Sequence, residues 1–132
     1  MKAFRLFLDK APPELASKSY LYLHTSYPEP NGWDIPDGII QNGLGGKVLM
    51  TYVCKNCKKF SCQQFKDAIT WCPHCQNLSA VCPTVAFGLT IEELVQVYNL
   101  FDLYAQYAIC EGFGMPQVEA ASCGVPIAAT NY

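Results

Sequence analysis

Apolar and polar positions alternate along this chain in two rhythms, and the rhythms divide it into elements. Ala3, Phe4, Phe7 and Leu8 stand at helical spacing, which predicts a helix over 2–9 stopped by Pro12 and Pro13. Y-L-Y-L-H-T (20–25) is aromatic and aliphatic without alternation, the pattern of a strand buried on both faces. Pro28, Pro30, Asn31 and Gly32 predict a loop. A short helix is expected from Asp37 to Asn42, ended by Gly43 or by Gly45-Gly46. K-V-L-M-T-Y-V (47–53) is a second apolar strand, followed by a cysteine-rich stretch from Cys54 to Cys82. Thr90 and Glu93 form a capping box, and Ile91, Leu94, Val95, Tyr98 and Phe101 line one face of the helix they open. L-Y-A-Q-Y-A-I (103–109) is a third strand. Pro116 fits the first turn of a helix that Gly124 would close, and V-P-I-A-A-T (125–130) is a fourth strand.

Apolar strands separated by helices predict an α/β fold with a largely parallel sheet. The 132 residues, 51% hydrophobic and 15% charged, suit one well-buried core and argue against disorder. The chain opens inside a helical pattern and ends on an apolar strand with nothing to cover it, so it reads as a piece of a larger protein. A net charge of −2 gives no general pull toward nucleic acid or anionic membranes. No apolar run approaches the ~20 residues of a spanning helix. Arg5 and Asp9 spoil the N-terminal stretch as a signal peptide. The eight cysteines are then read as thiols or metal ligands in a reducing, cytoplasmic setting.

Near the end, E-G-F-G-M-P-Q-V-E places Glu111 at a strand end and Glu119 about a turn into the next helix. In open α/β sheets, ligands bind beyond the carboxyl ends of the strands. Gly112 and Gly114 allow a sharp turn and a close backbone approach. Pro116 pre-sets the helical backbone, and the N–H groups around Met115, Gln117 and Val118 make a seat for phosphate. A carboxylate accepts through two oxygens and can take both hydroxyls of a vicinal diol. Two such groups flanking a phosphate seat match a sugar nucleotide, although a glutamate in a first helical turn also serves simply to complement the helix dipole.

The stretch E-G-F-G-M-P-Q-V-E-A-A-S-C-G-V-P-I-A-A-T-N, from Glu111 to Asn131, resembles the signature of retaining glycosyltransferases of the GT-B fold, the large family often called family 4. The preceding T-I-E-E-L-V-Q-V-Y-N-L-F-D-L-Y is similar to a segment of the same family. The resemblance implies a partial Rossmann-like nucleotide-sugar-binding domain over 1–53 and 83–132. It implies that Glu111 contacts the donor sugar near the reacting centre, as a positioning and electrostatic residue rather than a nucleophile. Glu119 would hold the ribose hydroxyls. Gly112, Phe113, Gly114, Met115 and Pro116 would lie along the donor, with Gln117 and Val118 offering main-chain donors to the diphosphate of a UDP- or GDP-sugar. The family's diphosphate-binding Arg and Lys have no counterpart here, and Lys2, Arg5 and Lys10 are poor substitutes. The acceptor-binding N-terminal domain and its histidine are missing, so the chain is not expected to be active alone and the acceptor is unknown. His24 is read as a core or loop histidine. No Asp-x-Asp pair suggests a catalytic metal.

C-K-N-C (54–57) and C-P-H-C (72–75) are two C-x2-C knuckles with fourteen residues between them. Paired knuckles present four thiolates tetrahedrally, which suits a structural Zn²⁺ with no open coordination position. Cys54, Cys57, Cys72 and Cys75 are the expected ligands of a zinc-ribbon-like insertion over 54–82. Cys62, Cys82 and His74 are spare candidates, and Cys110 and Cys123 are read as small buried residues. Lys47, Lys55, Lys58, Lys59 and Lys66, with Phe60, Phe65 and Trp71, give an alternative: a non-catalytic ribbon with a basic aromatic face for nucleic acid, or one that docks a protein. A solvated charged face around a small metal module is the plainer account, and nucleic acid is the less favoured partner.

Overall fold

The computed structural model describes residues 1–107 and 113–130. Contacts divide the chain into two compact units, Met1–Gly88 and Leu89–Tyr132.

The first unit begins with α1 (Lys2–Lys10), whose Leu8 is buried against Leu44 and Val48 with Phe4 packed beside it. Pro12 and Pro13 do end that helix, but they also start another, α2 (Pro13–Lys18). Proline at the first helical position loses no hydrogen bond, and Glu14 suits the positive end of the dipole. Strand β1 (Leu21–Leu23) is half-buried and shorter than the apolar run suggested. α3 (Ile35–Gln41) is capped by the Asp34 side chain, which accepts from the Asp37 N–H at 2.9 Å. Gly43, at φ +59°, ends it in a left-handed turn. The Gly43 N–H donates to Ile40 and the Leu44 N–H to Ile39, at 3.1 and 2.9 Å.

The hub of this unit is β2 (Val48–Cys54), buried at every position except Leu49, as its apolar run, broken only by Thr51, leads one to expect. β1 pairs parallel with its first half, Leu21 beside Val48 and Leu23 beside Met50. The cysteine-rich stretch supplies three further strands, β3 (Phe60–Gln64), β4 (Ile69–Trp71) and β5 (Leu78–Val81). β3 pairs antiparallel with β2 from Leu49–Gln64 to Val53–Phe60, β5 pairs antiparallel with its end at Val53 and Cys54, and β4 pairs antiparallel with β5. The α/β class holds. The sheet, however, is mixed and mostly antiparallel rather than largely parallel, because the knuckle strands return by hairpins onto β2.

The second unit begins at α4 (Ile91–Tyr98), with both halves of the capping box formed. Thr90 accepts from the Glu93 N–H, and the Glu93 carboxylate accepts from the Thr90 N–H. β6 (Tyr104–Gln106), α5 (Met115–Ser122) and β7 (Ile127–Ala129) follow, and the two strands pair in parallel from Tyr104–Ile127 to Gln106–Ala129. Gly124, at φ +78°, closes α5 as expected. The Gly124 N–H reaches Ala121 and the Val125 N–H reaches Ala120, while Ala120 and Val125 pack together in the core with Tyr98. Among the described residues, no helix is long and apolar enough to cross a membrane.

Candidate functional site

Two sets of chemistry-bearing residues stand in this chain, one in each unit. The first lies at the far end of β2. Cys54 closes that strand and Cys57 follows on a tight turn; Cys72 and Cys75 sit on the turn joining β4 to β5. Each turn is closed by the same bond, the Lys58 N–H to the Cys54 carbonyl (3.0 Å) and the Gln76 N–H to the Cys72 carbonyl (2.9 Å). Each also places the residue after its second cysteine in the left-handed region, Lys58 at φ 61° and Gln76 at φ 57°. The two knuckles therefore share one backbone form, and they face each other.

The four sulfurs all lie within 4.8 Å of one another. Cys54 Sγ is 3.6 Å from Cys75 Sγ, and Cys57 Sγ is 3.6 Å from Cys72 Sγ. A tetrahedral ion with metal–sulfur bonds of ~2.3 Å requires sulfurs about 3.8 Å apart, so small side-chain shifts would let these four residues hold a four-thiolate ion. The surroundings favour thiolate at Cys54. The N–H groups of Asn56 and Cys57 point at its sulfur, 3.3 and 3.4 Å away, and Ser79 Oγ lies 3.1 Å from it. Burial of Cys54 opposes ionisation, but the bonds from Ser79, Cys57 and Asn56 outweigh it and bring the thiol down to about 5. At Cys57 the Lys59 N–H favours the thiolate, yet burial and the three neighbouring sulfurs push it up to about 11. The Asn77 N–H leads the effects that draw Cys75 below the ordinary thiol range. Several thiolates this close repel one another unless a cation sits between them, and a bound ion removes that conflict.

Of the spare candidates, Cys62 is exposed on β3 and Cys82 is buried, both outside the cluster of four. His74 turns away, with Nε2 3.2 Å from the Phe60 carbonyl. His24 is exposed and places Nδ1 2.8 Å from the hydroxyl of buried Thr51. Three residues of the expected basic aromatic face have partners within the fold. Lys47 Nζ donates to the carbonyls of Ala16, Ser17 and Ser19, closing the C-terminus of α2. Phe65 packs into the core, edge-on to Tyr27 at 5.5 Å, and Lys58 lies over the Phe87 ring at 5.0 Å. Ser79 escaped the sequence reading because nothing local to S-A-V marks it. The pairing of β5 with the end of β2 brings it to Cys54: Cys54 stands beside Ala80, and the Lys55 N–H donates to the Ser79 carbonyl at 2.8 Å.

The second set surrounds the N-terminus of α5. Glu111 and Gly112 lie outside the described residues, as does Cys110. Gly114 is buried at φ +70° and caps the helix, so the chain enters α5 through a backbone conformation that side chains resist. A Cβ there would also come within 2.5 Å of the Gln117 amide nitrogen. Phe113, Met115 and Val118 are exposed, and Pro116 occupies the first turn. The Gln117 and Val118 N–H groups, expected to face a diphosphate, both donate to the Gly114 carbonyl, at 3.0 and 3.4 Å. Glu119 is half-buried one turn further on, where Tyr98 Oη donates to its Oε2 at 2.9 Å. α5 follows the carboxyl end of β6 and leads into parallel β7, so its N-terminus opens at the carboxyl edge of that two-stranded sheet. No family model, curated protein or solved structure matches this chain.

Proposed function

We propose that the chain is part of a retaining GT-B glycosyltransferase and holds the donor-binding motif for a UDP- or GDP-sugar. The reading also gives it a partial Rossmann-like domain and a structural zinc at Cys54, Cys57, Cys72 and Cys75. The observation that carries it is the unit β6–α5–β7. Parallel strands flank α5, a helix entered through a left-handed glycine, and Glu119 on that helix is held by Tyr98 at the end of α4. That arrangement suits the E-G-F-G-M-P-Q-V-E motif, whose parts have separate tasks. The N-terminus of α5 presents the positive end of its dipole to the diphosphate, and stabilising that group as it departs is the main catalytic work. Glu119 accepts from the ribose hydroxyls. Phe113, Gly114 and Met115 line the sugar, and Glu111 positions it near the reacting centre. Sugar is transferred to an acceptor with retention, using residues beyond those of this chain for the acceptor and for further charge at the diphosphate. Four thiolates leave no coordination position for water, so the zinc holds the knuckles together and takes no part in transfer.

Ligand-observed NMR on the zinc-loaded chain with UDP, GDP and CMP tests the donor site. One nucleoside diphosphate should bind, and Glu119→Ala should abolish that binding. Binding that Glu119→Ala leaves unchanged, or no binding to the wild-type chain, would remove the donor reading.

A further inference from the structure

We infer that Tyr98 is a positioning residue that sets the Glu119 carboxylate for the ribose of the donor, an inference that rests on the donor reading above. Tyr98 ends α4 and is 7% exposed. Its ring is fixed edge-on between Phe101, at 5.8 Å and 83°, and Tyr104, at 6.3 Å and 63°. Ala120 and Val125 pack in the same cluster, so the ring has little room to turn. Its hydroxyl donates to Oε2 of Glu119 at 2.9 Å. Burial, reinforced by the Glu119 carboxylate, holds the phenol above its ordinary range, which keeps it a protonated donor at neutral pH.

The consequence for Glu119 is geometric. A half-exposed glutamate normally rotates about three bonds, and ordering it on binding opposes affinity. Anchored through Oε2, the carboxylate keeps one plane, with Oε1 and the second lone pair of Oε2 left to accept. A cis-diol needs two acceptor oxygens held in one plane, whereas a single hydroxyl is satisfied by a carboxylate in almost any rotamer. Tyr98 should therefore matter most for reading the 2′-hydroxyl together with the 3′-hydroxyl.

The test compares UDP with 2′-deoxy-UDP, and GDP with 2′-deoxy-GDP, by NMR titration of the metal-loaded full chain. Three proteins are needed: wild type, Tyr98→Phe and Glu119→Ala. Phenylalanine keeps the ring and removes only the donor. Wild type should prefer the ribonucleotide by about tenfold, the scale of one hydrogen bond to a charged group. Tyr98→Phe should cut that preference to about threefold or less while leaving affinity for the deoxy ligand unchanged. A purely structural Tyr98 would weaken both ligands together and leave the ratio intact, and that result overturns the inference. If Glu119→Ala abolishes binding, or the preference, while Tyr98→Phe keeps the wild-type ratio, only the role of Tyr98 falls. If Glu119→Ala leaves binding and preference untouched, the donor reading itself falls and takes the inference with it.

Discussion

In the first unit Cys54 and Cys72 are candidate ligands and core residues at once, 0% and 1% exposed and packed in one cluster with Met50, Tyr52 and Ala80. In the second unit the motif is displayed on the outside, with Phe113 70% exposed and Met115 55%. The core beneath it is built from ordinary residues, Tyr98, Ala120 and Val125. A metal centre made of core residues couples binding to folding, because the unloaded thiols leave the strands that carry them without their central contact. A displayed motif can be changed with little effect on the fold that presents it. Loss of the ion should thus reach the first unit and spare the second.

The largest effect follows from removing the ion. Cys72→Ser, or a strong chelator, is expected to abolish metal binding and unfold the first unit, since structural zinc contributes on the order of 10 kcal/mol to folding in small modules. Elemental analysis should find one zinc per wild-type chain and none in the variant. Amide spectra should collapse for β2 to β5 while the signals of α4 and α5 stay dispersed. Dispersed β2 signals in a metal-free variant would show that the core stands without its ion, and the contrast between the units would be lost.

Alkali should separate the units by a different route. Burial, chiefly, pushes the Cys82 thiol from its ordinary 9.0 up to about 11. A group whose folded value is raised stabilises the fold below its unfolded value and loses that contribution as pH climbs toward the folded one. The first unit should therefore weaken between about pH 9 and pH 11, and Cys82→Ala should reduce that loss by the share of this thiol. Tyr98 is likewise raised above 10.0, by burial and then by Glu119, so its share of the second unit's stability is lost only above pH 10. Denaturant titrations at stepped pH check the order; simultaneous loss in both units contradicts it.

Gly114→Ala sharpens the claim that the displayed motif still has backbone demands. At φ +70° a side chain costs about 1–2 kcal/mol, and the Gln117 amide must also swing away from the new methyl group. The unfolding free energy of the second unit should fall by that amount, with zinc content unchanged. A variant as stable as wild type would mean that α5 can be entered another way.

What the sequence made legible was mostly local chemistry. The capping box at Thr90 and Glu93, the glycine stops at Gly43 and Gly124, and the four spaced cysteines all formed as expected, because each depends on residues a few positions apart. α2 was missed because Pro12-Pro13 was read only as a stop, although proline at a first helical position also starts a helix. β3 was missed because F-S-C-Q-Q carries little apolar pattern; it is a strand because β2 lies beside it, and that pairing is tertiary. The same non-local pairing turned an expected parallel sheet into a mixed one. Tyr98 was legible only as a core position on the face of α4. Its bond to Glu119 spans twenty-one residues and needed the fold to bring the two together.

The smallest effect compares the two knuckles with each other. Gln76 and Lys58 hold the same left-handed backbone, at φ 57° and 61°, a conformation that costs a non-glycine residue roughly 1–2 kcal/mol. Glycine relieves that cost but gives back roughly 0.5–1 kcal/mol through the freer unfolded chain. Gln76→Gly should then stabilise the loaded first unit by about 0.5 kcal/mol. Lys58→Gly should gain nothing, because it also gives up the ammonium lying 5.0 Å over the Phe87 ring, a contact worth about 0.5–1 kcal/mol at an exposed site. Paired denaturant curves on the two variants measure the difference. If Lys58→Gly gains as much as Gln76→Gly, the Phe87 contact contributes nothing and the knuckles are equal in energy as well as in shape. If neither gains, left-handed backbone at these turns carries no strain, and the bond from each N–H to the carbonyl of its first cysteine has already offset it.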